Sequence, residues 1–161
     1  MYRLYSLLFV AVLAITACTT APERPQAPAE DPLAQAARAY VERGDYPAAA
    51  QLYLKESKTA PEKQRLPLRL SAAGYLAQGQ LWEQMAQVLD SMDVSRLDPA
   101  QQDRLRLLKA ERALAGQQVD VALELLQKVS SPESLPDHGL HYYQLRAEAY
   151  AMTGNALEAA R

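Results

Sequence analysis

The stretch Ala39–Tyr53, "AYVERGDYPAAAQLY", decides the fold. An amphipathic run ends at Gly44, an aspartate follows, and a second apolar run rich in alanine starts at once. Glycine takes the left-handed backbone that closes a helix at the least steric cost, so this reads as helix, tight turn, helix. The context recurs as "GYLAQGQLWEQMAQVL" around Gly79, "ERALAGQQVDVALELL" around Gly116 and "EAYAMTGNALEAAR" around Gly154. The glycines are 35, 37 and 38 residues apart. A fixed period of that size marks an array of stacked helix pairs. Tyr40, Tyr75 and Tyr150 each stand four residues before their glycine, with Arg112 in the third unit. Gly44, Gly79, Gly116 and Gly154 are therefore expected to end the first helix of each pair, at least three of them with positive φ.

The flanking periodicity is helical. Leu33, Ala36, Ala37 and Tyr40 follow i, i+3, i+4, i+7, and so do Val119, Ala122, Leu123 and Leu126. Leu81, Met85, Val88, Leu89 and Met92 form a third stripe, and Tyr142, Leu145, Ala149 and Met152 a fourth. Asp31-Pro32, Ala60-Pro61, Asp98-Pro99 and Ser131-Pro132 read as helix starts or turns. Pro67 would either start the second unit's long helix late or kink it at Leu66. The expected fold is all-α: a solenoid of antiparallel helix pairs, about three and a half repeats over residues 32–161. The last helix, after Gly154, is about half length. The domain is therefore expected to continue past Arg161, with the face around Tyr142, Leu145 and Ala149 partly uncovered.

The segment before the array has a different logic. Met1-Tyr2-Arg3 carries one positive charge, and Leu4–Ile15 is apolar except for Ser6. These twelve residues are too few to cross a bilayer, which takes about 20 in a helix. Thr16 and Ala17 are small, and Cys18, the sole cysteine, follows. Residues 1–17 thus read as a signal peptide. Ile15-Thr16-Ala17-Cys18 resembles the bacterial lipobox, which implies a lipidated Cys18 as the first mature residue; the plain alternative is an export signal that happens to hold a cysteine. Thr19 instead of Asp after it resembles signals sorted to the outer membrane. Pro22, Pro25, Pro28 and Pro32 favour extended backbone, so residues 18–31 read as a tether.

After residue 17 the chain keeps 16 basic and 19 acidic side chains, a balance of −3, unlike the strongly basic domains that bind nucleic acid. His138 and His141 could share a metal on a helix face, but no third ligand accompanies them; a polar loop entering a helix is the expected reading. No nucleophile–base set and no phosphate-cradling glycine loop is recognisable. The chain is expected to be no enzyme, and to need no metal, cofactor or small-molecule substrate. Arg104, Arg106, Lys109 and Arg112, interleaved with Asp103 and Glu111, read as a solvated face. Superposing units on their glycines makes Arg69 and Arg106 equivalent. With Arg38 and Glu42 they are candidates for a partner groove.

The helix–turn–helix units resemble the tetratricopeptide class, most closely at Gly44-Asp45-Tyr46 with Ala49 and Tyr53. "QRLPLRLSAAGYLAQGQLWEQMAQVLDSMD" followed by "LDPAQQDRLRLLKAERALAGQQVDVALELLQKV" resembles the amino-terminal domain of the penicillin-binding protein activator lipoproteins of Gram-negative bacteria. That resemblance implies an outer-membrane lipoprotein facing the periplasm, followed by a solute-binding-like domain. Its partner would be a class A penicillin-binding protein, whose peptidoglycan synthesis it stimulates. A repeat lipoprotein of outer-membrane protein assembly and a pilotin for a pilus or secretion pore fit the same architecture.

Overall fold

The computed structural model describes residues 31–135 and 138–154, apart from the side chains of Ser134 and His138. The expected lipidation residue Cys18, the tether up to residue 30 and the half-length last helix lie outside the described residues. Within them the structure is all-helical. The helices are α1 (Pro32–Val41), α2 (Tyr46–Thr59), α3 (Glu62–Gln78), α4 (Trp82–Asp90), α5 (Pro99–Ala115), α6 (Val119–Gln127) and α7 (His138–Met152). Short 3-10 turns at Val94–Arg96 and Pro132–Ser134 connect α4 to α5 and α6 to α7. α1 packs on α2, α3 on α4 and α5 on α6; α3 also packs on α5, and α5 on α7. This is the helix-pair packing of a tetratricopeptide-like array.

Capping chemistry sets the helix starts. Asp31 accepts from the Leu33 amide at 3.1 Å, and Asp45 from the Ala48 amide at 3.1 Å. Asp98 makes a reciprocal box with Gln101, whose amide donates to Asp98 at 2.8 Å. Each of these three helices has proline in its first turn, where a missing amide is harmless. Ser131-Pro132 opens the short 3-10 turn, not α7, which starts at His138. Pro67 neither delays nor ends α3, which begins at Glu62 and runs to Gln78. The carbonyl left without an amide donor belongs to the exposed Lys63, where water can satisfy it.

The helix ends correct the glycine expectation. Gly44 and Gly154 have φ of 73° and 77°, but Gly79 and Gly116 lie at −82° and −87°. In the second and third units the left-handed residue is the next one, Gln80 at 57° and Gln117 at 58°. The hydrogen bonds show why. Asp45 donates to Tyr40 O at 2.9 Å, Leu81 to Leu76 O at 2.8 Å and Gln118 to Ala113 O at 2.8 Å. Each bond runs from the residue after the left-handed position to a carbonyl five residues back, the Schellman arrangement. Gly44, Gln80, Gln117 and Gly154 are thus the equivalent positions, 36, 37 and 37 residues apart. Tyr75 is consequently not the counterpart of Tyr40; Leu76 is.

Gly79 is demanded by packing, not by φ. A Cβ there would sit 2.8 Å from Cβ of Tyr46, at the start of α2. At Gly116 the nearest atom would be 3.5 Å away, an ordinary contact.

The core is built from small side chains at the helix crossings and large ones between them. Ala37, Ala49, Ala72, Ala73, Ala110, Ala122 and Ala149 are fully enclosed, so the backbones approach closely. Leu70, Met85, Leu107 and Leu126 fill the remaining space. Two apolar clusters result, one around α1–α4 with Leu105 and Leu108 of α5, the other around α5–α7. The face of α7 expected to be partly uncovered is closed: Tyr142, Leu145 and Ala149 are buried against the second cluster. Ala36 and Met152, which the stripes placed inward, are exposed.

Three substitutions separate the roles of these turns. Gly79→Ala should destabilise by about 1–3 kcal/mol through overpacking against Tyr46. Gly116→Ala should be close to neutral, and Gln80→Gly should stabilise by about 1 kcal/mol by relieving a left-handed non-glycine residue. Urea denaturation checks all three; equal effects of the two alanine substitutions would contradict the packing account.

Candidate protein-binding trough

Side chains at helical spacing on the first helices of successive pairs line a cleft of about 470 Å³. α3 contributes Ser71, Gly74, Tyr75 and Gln78; α5 contributes Arg104, Leu108 and Glu111; α7 contributes His141 and Gln144. Tyr53 of α2 closes one end. A neighbouring hollow shares Gln78, Glu111, His141 and Gln144 and adds Trp82 and Glu148, so the two form one trough.

The two ends of this trough differ in charge. At one end the Tyr53 and Tyr75 rings lie 5.3 Å apart, tilted by 42°. Burial, helped by the neighbouring Tyr75 hydroxyl, pushes the Tyr53 phenol up to about 12, so it stays neutral. Beside them the Arg104 guanidinium is partly withdrawn from water, and that burial lowers its pKa. A guanidinium nevertheless remains protonated. Its one hydrogen bond among the described residues is a long one, 3.4 Å from Nη1 to the Ser71 hydroxyl. Gly74 stands beside it: a Cβ there would lie 3.5 Å from Nη2, an ordinary contact. No carboxylate pairs with Arg104 among the described residues. At the other end Glu111 Oε2 lies 3.4 Å from His141 Nε2, and that contact raises the histidine pKa above 6.5.

The four residues expected to form a groove do not share this trough. Arg69 lines a different cleft of about 660 Å³, with residues of α2 and α4. It donates to Ser91 O at 3.4 Å, to Val88 O at 3.5 Å and to the Ser91 hydroxyl, and so caps the carboxyl end of α4. Arg106 pairs with Asp103 and with Gln102 Oε1 at 3.3 Å. Arg38 and Glu42 are exposed on and just after α1 and line neither cleft. The reason is rotation. Arg69 precedes Ser71, and Arg106 follows Arg104, by two residues, which turns a helix by about 200° and faces the side chain away from the trough.

Asp103 was read as part of a solvated face, but it is 2% exposed. Its Oδ2 accepts from the Ser130 and Ser131 amides at 3.0 and 3.3 Å, which ties the start of α5 to the loop after α6. Among the described residues no three metal-ligating side chains come together, and no helix is long and apolar enough to cross a membrane.

The family model described as "LppC putative lipoprotein" matches residues 44–161, most of the helical array and the whole of the trough. The chain belongs to the LppC lipoprotein family. That agrees with the resemblance to the penicillin-binding protein activator lipoproteins seen in the sequence. Neither a curated protein nor a solved structure gave a significant match.

The Glu111–His141 pair makes a pH-dependent contribution to stability. Because the folded histidine pKa is raised above 6.5, the stabilisation is complete below about pH 6.5 and is lost as pH rises through the raised value. Denaturation of wild type and Glu111→Gln should therefore differ most near pH 5.5 and least near pH 8.5. The partial exposure of both side chains keeps the effect modest. An unchanged difference across that range would show that the contact is not ionic.

Proposed function

We propose that the chain is the helical-repeat region of an outer-membrane lipoprotein that faces the periplasm and binds a class A penicillin-binding protein, stimulating peptidoglycan synthesis. In this reading Cys18 carries the lipid, residues 18–31 are the tether, and the helix pairs supply the binding surface. It acts by contact, not by catalysis, and needs no cofactor.

The observation that carries the reading is the lipoprotein-family match over residues 44–161, on a helix-pair array that follows a lipobox-like Ile15–Cys18. Helix-pair arrays expose extended surfaces suited to holding another protein. The trough along α3, α5 and α7 is such a surface, walled by aromatic rings and carrying charge of both signs.

Two measurements test this. The full chain, immobilised, should retain a purified class A penicillin-binding protein, and in solution should raise its rate of glycan polymerisation. Absence of both effects would refute the partner. Mass spectrometry of the mature amino terminus should find an acylated Cys18, and Cys18→Ser should leave an unprocessed precursor outside the outer-membrane fraction. An unmodified cysteine would refute the anchor.

A further inference from the structure

Among the described residues Arg104 is a trough cation with no carboxylate partner. A guanidinium presents five N–H donors in a fixed plane, and its natural complement is a carboxylate taken in two parallel bonds. Here it has only the long contact with the Ser71 hydroxyl. No buried N–H of it is left without a partner, so its remaining donors face the open trough, where a ligand can take them. Arg69 and Arg106 differ in this respect, since helix carbonyls or Asp103 satisfy them. The Tyr53 and Tyr75 rings beside Arg104 add two flat walls with hydroxyl groups.

The opposite end of the trough is acidic on balance, with Glu111 and Glu148 against His141. Glu111 lies seven residues after Arg104 on α5, two turns or about 10 Å along the axis, and Glu148 lines the adjoining hollow. An extended peptide covers the same distance in about three residues.

We infer that the trough along α3, α5 and α7 is a docking groove for an extended segment of a partner protein. That segment bears an Asp or Glu that seats on Arg104 and, about three residues along, a Lys or Arg that seats against Glu111 and Glu148. The inference deepens the proposed function and rests on it only in taking the occupant to be a protein. A phosphate dianion fits less well, because the same trough presents two carboxylates. A single carboxylate followed by a base meets both ends.

The test uses the full chain and fluorescein-labelled octapeptides holding one Asp and one Lys three residues apart, with Asn or Ala replacing either in control peptides. The Asp–Lys peptide should bind at least tenfold more tightly than the Asn version, and added salt should weaken it. Arg104→Met should abolish that preference while Arg104→Lys keeps part of it, each with a melting curve like wild type. A second variant leaves Arg104 in place. Gly74→Asp puts a carboxylate beside Nη2, where a Cβ would stand 3.5 Å away, and should occupy the guanidinium from within. Loss of the Asp preference in Gly74→Asp supports the groove even if Arg104→Met does not fold.

Equal binding of the Asp and Asn peptides, or a preference that survives in both variants, would overturn the inference. So would tighter binding of a phosphoserine peptide, or a wild-type dimer that Arg104→Met dissolves, which would make the occupant a second copy of this chain. The penicillin-binding protein separates the two readings. Its equal retention by wild type and folded Arg104→Met would overturn the groove and leave the wider function standing. Arg104-dependent peptide binding with no such retention would support the groove and count against that partner.

Discussion

Everything in this domain depends on one backbone reversal, made once per unit. A residue in the left-handed conformation ends the first helix, and in the first three units the amide after it bonds to a carbonyl five residues back. Two helix carbonyls that would otherwise lack a donor are satisfied there, and the chain leaves in a fixed direction. The second helix can then lay its alanines against the first, as Ala49 does opposite α1 and Ala122 opposite α5. Because the reversal recurs every 36 or 37 residues, the exposed faces of α3, α5 and α7 fall into line. The trough is therefore a product of turn geometry before it is a product of side-chain chemistry.

The sequence made the array visible because its strongest signals are local. Glycine spacing, proline at helix starts and apolar stripes all act within a few residues, and together they located the pairs. They misplaced the left-handed residue by one in two units, because nothing about Gln80 or Gln117 is conspicuous when a glycine stands beside it. The true reason for Gly79 is Tyr46, 33 positions earlier in the chain and in contact only after folding. No local pattern carries that information.

The candidate site was less legible for the same reason. A basic cluster on α5 was plain, but which arginine faces the trough depends on two residues of helical rotation. Arg104 and Arg106 look alike in sequence; one lies beside Tyr53 and Tyr75 and the other holds Asp103. Asp103 itself looked like a surface charge, because its amide donors arrive from Ser130 and Ser131. The Glu111–His141 contact joins different helices and leaves no mark on either.

The Asp103 carboxylate has a mechanical consequence. It binds the first turns of α5 to the segment just past α6, so the two ends of the third unit are fastened to each other. A unit clasped in this way cannot be drawn open along the chain without baring a buried negative charge and two backbone amides at once. Tension applied along the chain would be shared by the whole unit, not concentrated in its connecting loop. The trough, which crosses from one unit to the next between α3, α5 and α7, would open at those junctions before the third unit itself came apart.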